Sequence, residues 1–206
     1  MDKILITIGR QFGSGGKLVA QAIGDKLGIP VYDNEVITEA AERSGFSKEL
    51  FEKSDEKRSL FSFSSFFAPS PRAISLHDAY TSDDMLFKIQ SSVIRELASK
   101  SSAVFVGRCS DYILRDLPCT DVFITADMQT RIKRVAERAG LSCAEAEKLI
   151  ARQDRARETY YNYFTFGAWG VASNYDLCLD SSILGIDGTA DTVIAFAKAA
   201  GKEYEA

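Results

Sequence analysis

The feature that most constrains this chain is its first thirty residues. Ile4-Leu5-Ile6-Thr7-Ile8 is a short, β-branched apolar run, the pattern of a strand buried on both faces, and it runs into Gly9. Apolar residues then recur at helical spacing at Val19, Ile23 and Leu27, closed by Gly28 and Pro30 in the order that follows a helix C-terminus. Between strand and helix lies Gly13-Ser14-Gly15-Gly16-Lys17. Glycines let the backbone curl so that successive N–H groups face an anion, and the helix N-terminus adds its partial positive charge. On this reading Lys17 reaches the β- and γ-phosphates of a nucleotide. With the register set on Lys17, the pattern GxxxxGK[ST] lacks its first glycine, at Gln11, and its hydroxyl residue, at Leu18. The missing hydroxyl matters because that group normally helps to hold Mg²⁺. The plain alternative is that these glycines only make a tight turn.

The rest of the chain repeats the rhythm. Val31-Tyr32 is a brief strand with Asp33 at its carboxyl end, and Leu86, Ile89, Val93 and Leu97 mark an amphipathic helix. Strands follow at 103–106, 122–124 and 177–179, and helices at about 128–139, 143–158 and 189–200, the second opened by the capping box Ser142/Glu145. Strands separated by helices predict an α/β fold, a five-stranded parallel sheet with right-handed crossovers. Ligands then bind beyond the carboxyl ends of the strands, at 9–17, 33–35, 107–111 and 125–127. No internal repeat is present. Residues 59–82, rich in Ser and Phe, break the rhythm and read either as a surface loop or as a lid over a ligand.

At 206 residues the chain suits one domain with mobile lobes. Its net charge of -4 argues against a general nucleic-acid binder. No apolar run of about 18 residues predicts a membrane span and no signal-peptide pattern opens the chain, so a cytoplasmic protein is expected. Cys109, Cys119, Cys143 and Cys178 show no close pairing and are expected as reduced thiols packed like small hydrophobes. His77, the sole histidine, has no triad pattern around it and reads as a surface residue.

The charge is uneven. Residues 131–157 hold six arginines, two lysines and four acids, a net +4 that leaves -8 for the remainder. Arg131, Arg134 and Arg138 share one helical face, and Arg152 and Arg155 another. A solvated face is one reading. The preference for arginine, whose fork fits phosphoryl oxygens, favours a segment that closes over a nucleotide. Arg108, after the strand 103–106, is a further ligand-edge candidate or else a structural ion pair. Tyr160, Tyr161, Tyr163, Phe164, Phe166 and Trp169 either pack beneath that segment or stack on a base.

Phe12-Gly13-Ser14-Gly15-Gly16-Lys17, Val106-Gly107-Arg108, Thr130-Arg131-Ile132-Lys133-Arg134, Arg152-Gln153-Asp154-Arg155-Ala156-Arg157 and Asp176-Leu177-Cys178-Leu179-Asp180-Ser181-Ser182 occur in an order and spacing that resembles the nucleoside monophosphate kinases, above all the cytidylate kinase-like family. The likeness covers nearly the whole chain. It implies a P-loop fold of three layers, with helices on both faces of the five-stranded parallel sheet, a monophosphate-binding lobe at about 34–100 and a lid at about 131–170. It also implies transfer of the γ-phosphoryl of ATP, with Mg²⁺, to a nucleoside monophosphate, foremost CMP or dCMP. By position, Gly13, Ser14, Gly15, Gly16, Lys17 and Arg152 would bind the donor. Lys17, Arg131, Arg155 and Arg157 would serve the transferring group, and Asp33, Arg108, Asp111 and Asp154 the acceptor. The chain departs from the family at Leu18-Val19, which follow the loop lysine in place of a hydroxyl, and at Cys109, in place of the aspartate of Gly-Arg-Asp. A non-catalytic nucleotide-binding module, or a kinase for another small acceptor, are the competing expectations.

Overall fold

The computed structural model describes residues 3–34, 36, 37 and 76–201, with the backbone alone for 76–83. The elements are β1 (Leu5–Arg10), α1 (Gly16–Leu27), β2 (Val31–Tyr32), α2 (Leu76–Lys100), β3 (Ala103–Val106), α3 (Ser110–Ile113), β4 (Cys119–Thr125), α4 (Met128–Ala139), α5 (Cys143–Thr165), β5 (Leu177–Asp180) and α6 (Ser181–Ala200). The sheet has five strands in the order β2-β3-β1-β4-β5, every neighbouring pair parallel. The expected α/β fold with a parallel five-stranded sheet is present.

The apolar runs explain the layering. All four residues of β3 are buried, and Leu5 to Ile8 of β1 likewise, because these strands carry helices against both faces. Ile6, Ile8, Val104, Val106, Val122 and Ile124 meet Val19, Ala20 and Ile23 of α1 and Ala190 and Val193 of α6 in the main core. Each Ile or Val among them contributes about 1.5–3 kcal/mol when fully withdrawn from water. A second cluster joins Ile132 and Val135 of α4 to Ala146 and Ile150 of α5, with Phe12 against it. That cluster fixes the arginine-bearing helices to the loop after β1.

Contacts divide the chain into two compact units, residues 1–34 with 94–206, and residues 35–93. Within the second, Gln90 is buried, and its side-chain amide meets no partner among the described residues. Helix α2 begins at Leu76, so the last seven residues of the Ser/Phe-rich stretch are helical rather than loop; between Pro71 and Gly107 the sequence holds no proline or glycine to interrupt a helix. Residues 59–75 lie outside the described residues, and so does the expectation that they form a lid. His77 stands in the backbone of α2.

All four cysteines are free thiols, but the expected packing holds for Cys109 and Cys119 only. Cys143 is exposed at the first residue of α5, and Cys178 is exposed on β5, the edge strand of the sheet. Helix α5 also runs to Thr165, beyond its expected end at 158, and stops at Phe166, which is left-handed and 92% exposed. No helix among the described residues is long and apolar enough to cross a membrane.

Candidate active site

Strand β1 ends at Arg10, and the chain turns through Gln11 to Gly15 before α1. Gly13 and Gly15 take left-handed φ values of 82° and 80°, which an L side chain rarely adopts. Gly15 caps α1 with no side-chain hydrogen bond, and a helix N-terminus carries unpaired N–H groups in its first turn. Ser14 is fully buried, its hydroxyl donating to Gln11 O at 2.9 Å. A backbone of this shape at a helix N-terminus is a cradle for phosphate oxygens.

The arginine-rich helices hold this loop in place. Asp154 Oδ1 accepts the Phe12 N–H at 2.7 Å, and Arg131 Nε donates to Phe12 O at 2.8 Å. Arg131 and Asp154 also form an ion pair. Arg134 Nη1 donates to Ser14 O and to Ser181 Oγ, both at 3.0 Å, and the Ser181 hydroxyl donates to Ser14 O. Arg157 Nη1 donates to Arg10 O at 2.9 Å. The guanidinium carbons of Arg138 and Arg157 sit 5.2 and 5.3 Å from the Phe12 ring centre. Arg131 and Asp154, expected at the transferring group and the acceptor, both bond the backbone of Phe12. Arg152 and Arg155 stand exposed on α5.

Lys17, exposed on the first turn of α1, places Nζ 2.6 Å from Asp33 Oδ2 at the end of β2. Arg108 and Cys109 are both left-handed, φ 56°, which turns the chain sharply after β3. Arg108 Nε donates to Asn34 Oδ1, and its guanidinium carbon lies 5.4 Å from the Tyr160 ring centre. Asp111 accepts the Tyr161 hydroxyl at 2.7 Å; burial raises the Asp111 carboxyl above its ordinary value, against the hydrogen bond from Tyr161. Burial, and then the Asp111 charge, raise the Cys109 thiol, so it stays a neutral thiol. The aromatic stretch divides: Trp169 packs edge-on against Phe123 at 5.3 Å, and Tyr160 stands beside Arg108.

Arg10 went unnoticed in the sequence. Its side chain is half-buried, and its guanidinium donates to no group among the described residues. Burial, followed by repulsion from Arg157 and Arg108, pushes it down to about 9, with Asp33 pulling the other way. Burial likewise brings Arg157 down to about 10, with Asp154 opposing. Both stay protonated at neutral pH, so positive charge gathers here beyond what the local carboxylates neutralise, a setting that favours an anion. The register explains why Arg10 was missed. The first residue of α1 is Gly16, not Lys17; the pattern's lysine position falls on Gly16 and its first glycine on Arg10.

The cradle has the backbone shape that suits phosphate oxygens. For Mg²⁺ the loop offers no free hydroxyl, and among the described residues no group of three or more His, Cys, Asp or Glu is placed to hold a metal ion. Mg²⁺ would then be carried mainly by the phosphates and water.

The fold and the loop place the chain in the P-loop class. The sequence profile of the cytidylate kinase-like family matches residues 5–183, and the chain belongs to that family. Among curated proteins it is similar to the cytidylate kinases of Pyrobaculum aerophilum, 25% identical over 89% of this chain and 87% of that one, and Pyrococcus horikoshii, 26% identical over 97% and 88%. Among solved structures it resembles an uncharacterized protein from Eubacterium ventriosum, 33% identical, TM-score 0.73, covering 96% of this chain and 99% of that one. The fold is shared with shikimate kinase from Bacteroides thetaiotaomicron, 13% identical, TM-score 0.54, over 95% and 98% of the two chains.

Proposed function

We propose that the chain transfers the γ-phosphoryl group of ATP to a nucleoside monophosphate, with CMP or dCMP as the first acceptors to test, and that it works in the cytoplasm, where both substrates are found. The observation that carries this reading is the left-handed glycine loop capping α1, with Arg10 and Arg157 beside it and Arg108 across the sheet edge. Family membership supports kinase chemistry; the acceptor base rests on the names of relatives at about a quarter identity.

Phosphoryl transfer asks little covalent chemistry of a protein, so positioning and charge stabilisation dominate. In this proposal the backbone of Gly13, Ser14, Gly15 and Gly16 holds the donor phosphates, and Lys17 steadies the mouth of the loop through Asp33. Arg157 adds charge at the loop, and Arg152 and Arg155 approach the nucleotide from the lid. Asp33, Arg108 and Asp111 face the acceptor. Arg131 and Asp154 position the loop. Mg²⁺ would arrive with ATP and neutralise its phosphates.

One observation favours a second reading. The hydroxyl position of the loop motif holds a lysine already paired to a carboxylate, as in a nucleotide-binding module with reduced metal handling. A coupled ADP-release assay with ATP-Mg²⁺ and CMP, dCMP, UMP, AMP or GMP separates the two. Turnover with a pyrimidine monophosphate supports the kinase; tight ATP binding with no turnover on any acceptor supports the module.

A further inference from the structure

We propose that Arg10 supplies the phosphate-binding cation that a P-loop ordinarily takes from the lysine after its last glycine, so that cation and glycine have exchanged the two ends of the motif. The inference deepens the nucleotide-binding reading above and rests on it.

The exchange is visible first in the register. In G-x-x-x-x-G-K-[ST] the last glycine precedes the helix and the lysine opens it. Here Gly15 is the left-handed cap and Gly16 opens α1, five and six residues after Arg10. The motif's lysine position thus carries glycine, and its first glycine position carries arginine.

Space gives the second argument. A Cβ at Gly16 would lie 2.6 Å from Arg10 Cβ and 2.9 Å from Arg10 Cγ. No side chain, lysine least of all, fits at 16 while Arg10 is present. At its other end the Arg10 guanidinium lies against Gly107: a Cβ there would come within 1.8 Å of Nη1, and Gly107 is left-handed with φ 73°. Glycine at 16 accommodates the stem, and glycine at 107 the head. The side chain therefore runs from the phosphate cradle to the Gly107-Arg108 turn, from the proposed donor side to the proposed acceptor side.

The bonding is the third. The Arg10 carbonyl is engaged by Arg157, but its guanidinium donates to no described group. Five N–H donors in a planar fork, crowded by Arg157 and Arg108, are a poor structural ending and a good one for a tetrahedral anion, which arginine binds through two parallel bonds where lysine offers a point charge. Lys17, one position too late for the motif's lysine, is turned to Asp33 instead.

The test compares wild type with Arg10→Met, Arg10→Gly, Gly16→Lys and the double variant Arg10→Gly/Gly16→Lys, which rebuilds the usual glycine and lysine. ATP affinity is measured by calorimetry and phosphoryl transfer by ADP release, with circular dichroism to confirm folding. Arg10→Met and Arg10→Gly should weaken ATP binding at least tenfold and slow transfer by about 10²–10³-fold, the loss typical of removing one preorganised donor. The double variant should recover ATP affinity to within about tenfold of wild type, while Gly16→Lys alone should bind ATP no better than Arg10→Gly. A folded Arg10→Met with ATP affinity within twofold of wild type, or a folded double variant no better than Arg10→Gly, overturns the assignment. Should the single variants fail to fold, the double variant decides alone. Wild type that binds ATP and transfers to no acceptor defeats the transfer reading only, since the affinity comparison still judges Arg10. Wild type that binds no ATP defeats both.

Discussion

Asp154 Oδ1 accepts the backbone N–H of Phe12 at 2.7 Å, so a carboxylate in the middle of α5 fixes the phosphate loop from 142 residues away. The same carboxylate neutralises Arg131, whose side chain is only 4% exposed. Loop shape and helix packing are thereby one structure, and a change at Asp154 is felt in both.

Asp154→Ala leaves the Arg131 guanidinium buried without its counter-charge, an arrangement that costs roughly 3–5 kcal/mol. For a chain of this size the melting temperature should fall by on the order of 10 °C. ATP affinity should drop as well, measured by calorimetry below the melting range, because Phe12 loses its anchor. Unchanged melting would contradict the tether.

Gly24 tests packing away from the site. A Cβ there would lie 2.4 Å from Val31 Cγ2 and 3.0 Å from Ile29 O, so α1 approaches the loop before β2 too closely for any side chain. Gly24→Ala should cost about 1–3 kcal/mol by overpacking, read from a denaturant midpoint. ATP affinity of the folded protein should hold.

The strands were legible because parallel strands buried on both faces read as unbroken apolar runs, Ala103 to Val106 most plainly. The capping box of Ser142 and Glu145 was legible because its partners are three residues apart. Arg131 with Asp154 was not, since 23 residues and a helix turn separate them and pairing depends on how α4 packs on α5. Arg10 was hidden by a single-residue register choice: Lys17 looked like the loop lysine until α1 was seen to open at Gly16. The helical start of α2 was masked by its Ser- and Phe-rich approach.

Asp111 gives a pH signature. Its carboxyl is raised by burial above the ordinary 3.8, so between that value and the raised one the folded protein holds a proton that the unfolded chain has released. Stability should therefore decline as pH rises through this window, and Asp111→Asn should remove that component of the slope. Melting temperatures of the two proteins across pH 3.5–8 provide the comparison. A parallel pair of curves would contradict it.

Asp33 joins Lys17 to the acceptor side in the proposed site. Asp33→Asn should raise the KM for the monophosphate more than the KM for ATP, with a modest loss in kcat. A change confined to ATP would place Asp33 on the donor side.

The most direct test of the whole account follows the label from ATP carrying ³²P at the γ-position, with Mg²⁺ and CMP, separated by thin-layer chromatography. Labelled CDP should form with the wild-type protein, disappear when EDTA is added, and fall by about 10²–10³-fold in Arg10→Met. No labelled diphosphate from CMP, dCMP or any other nucleoside monophosphate would contradict the assignment of this chain as a nucleoside monophosphate kinase.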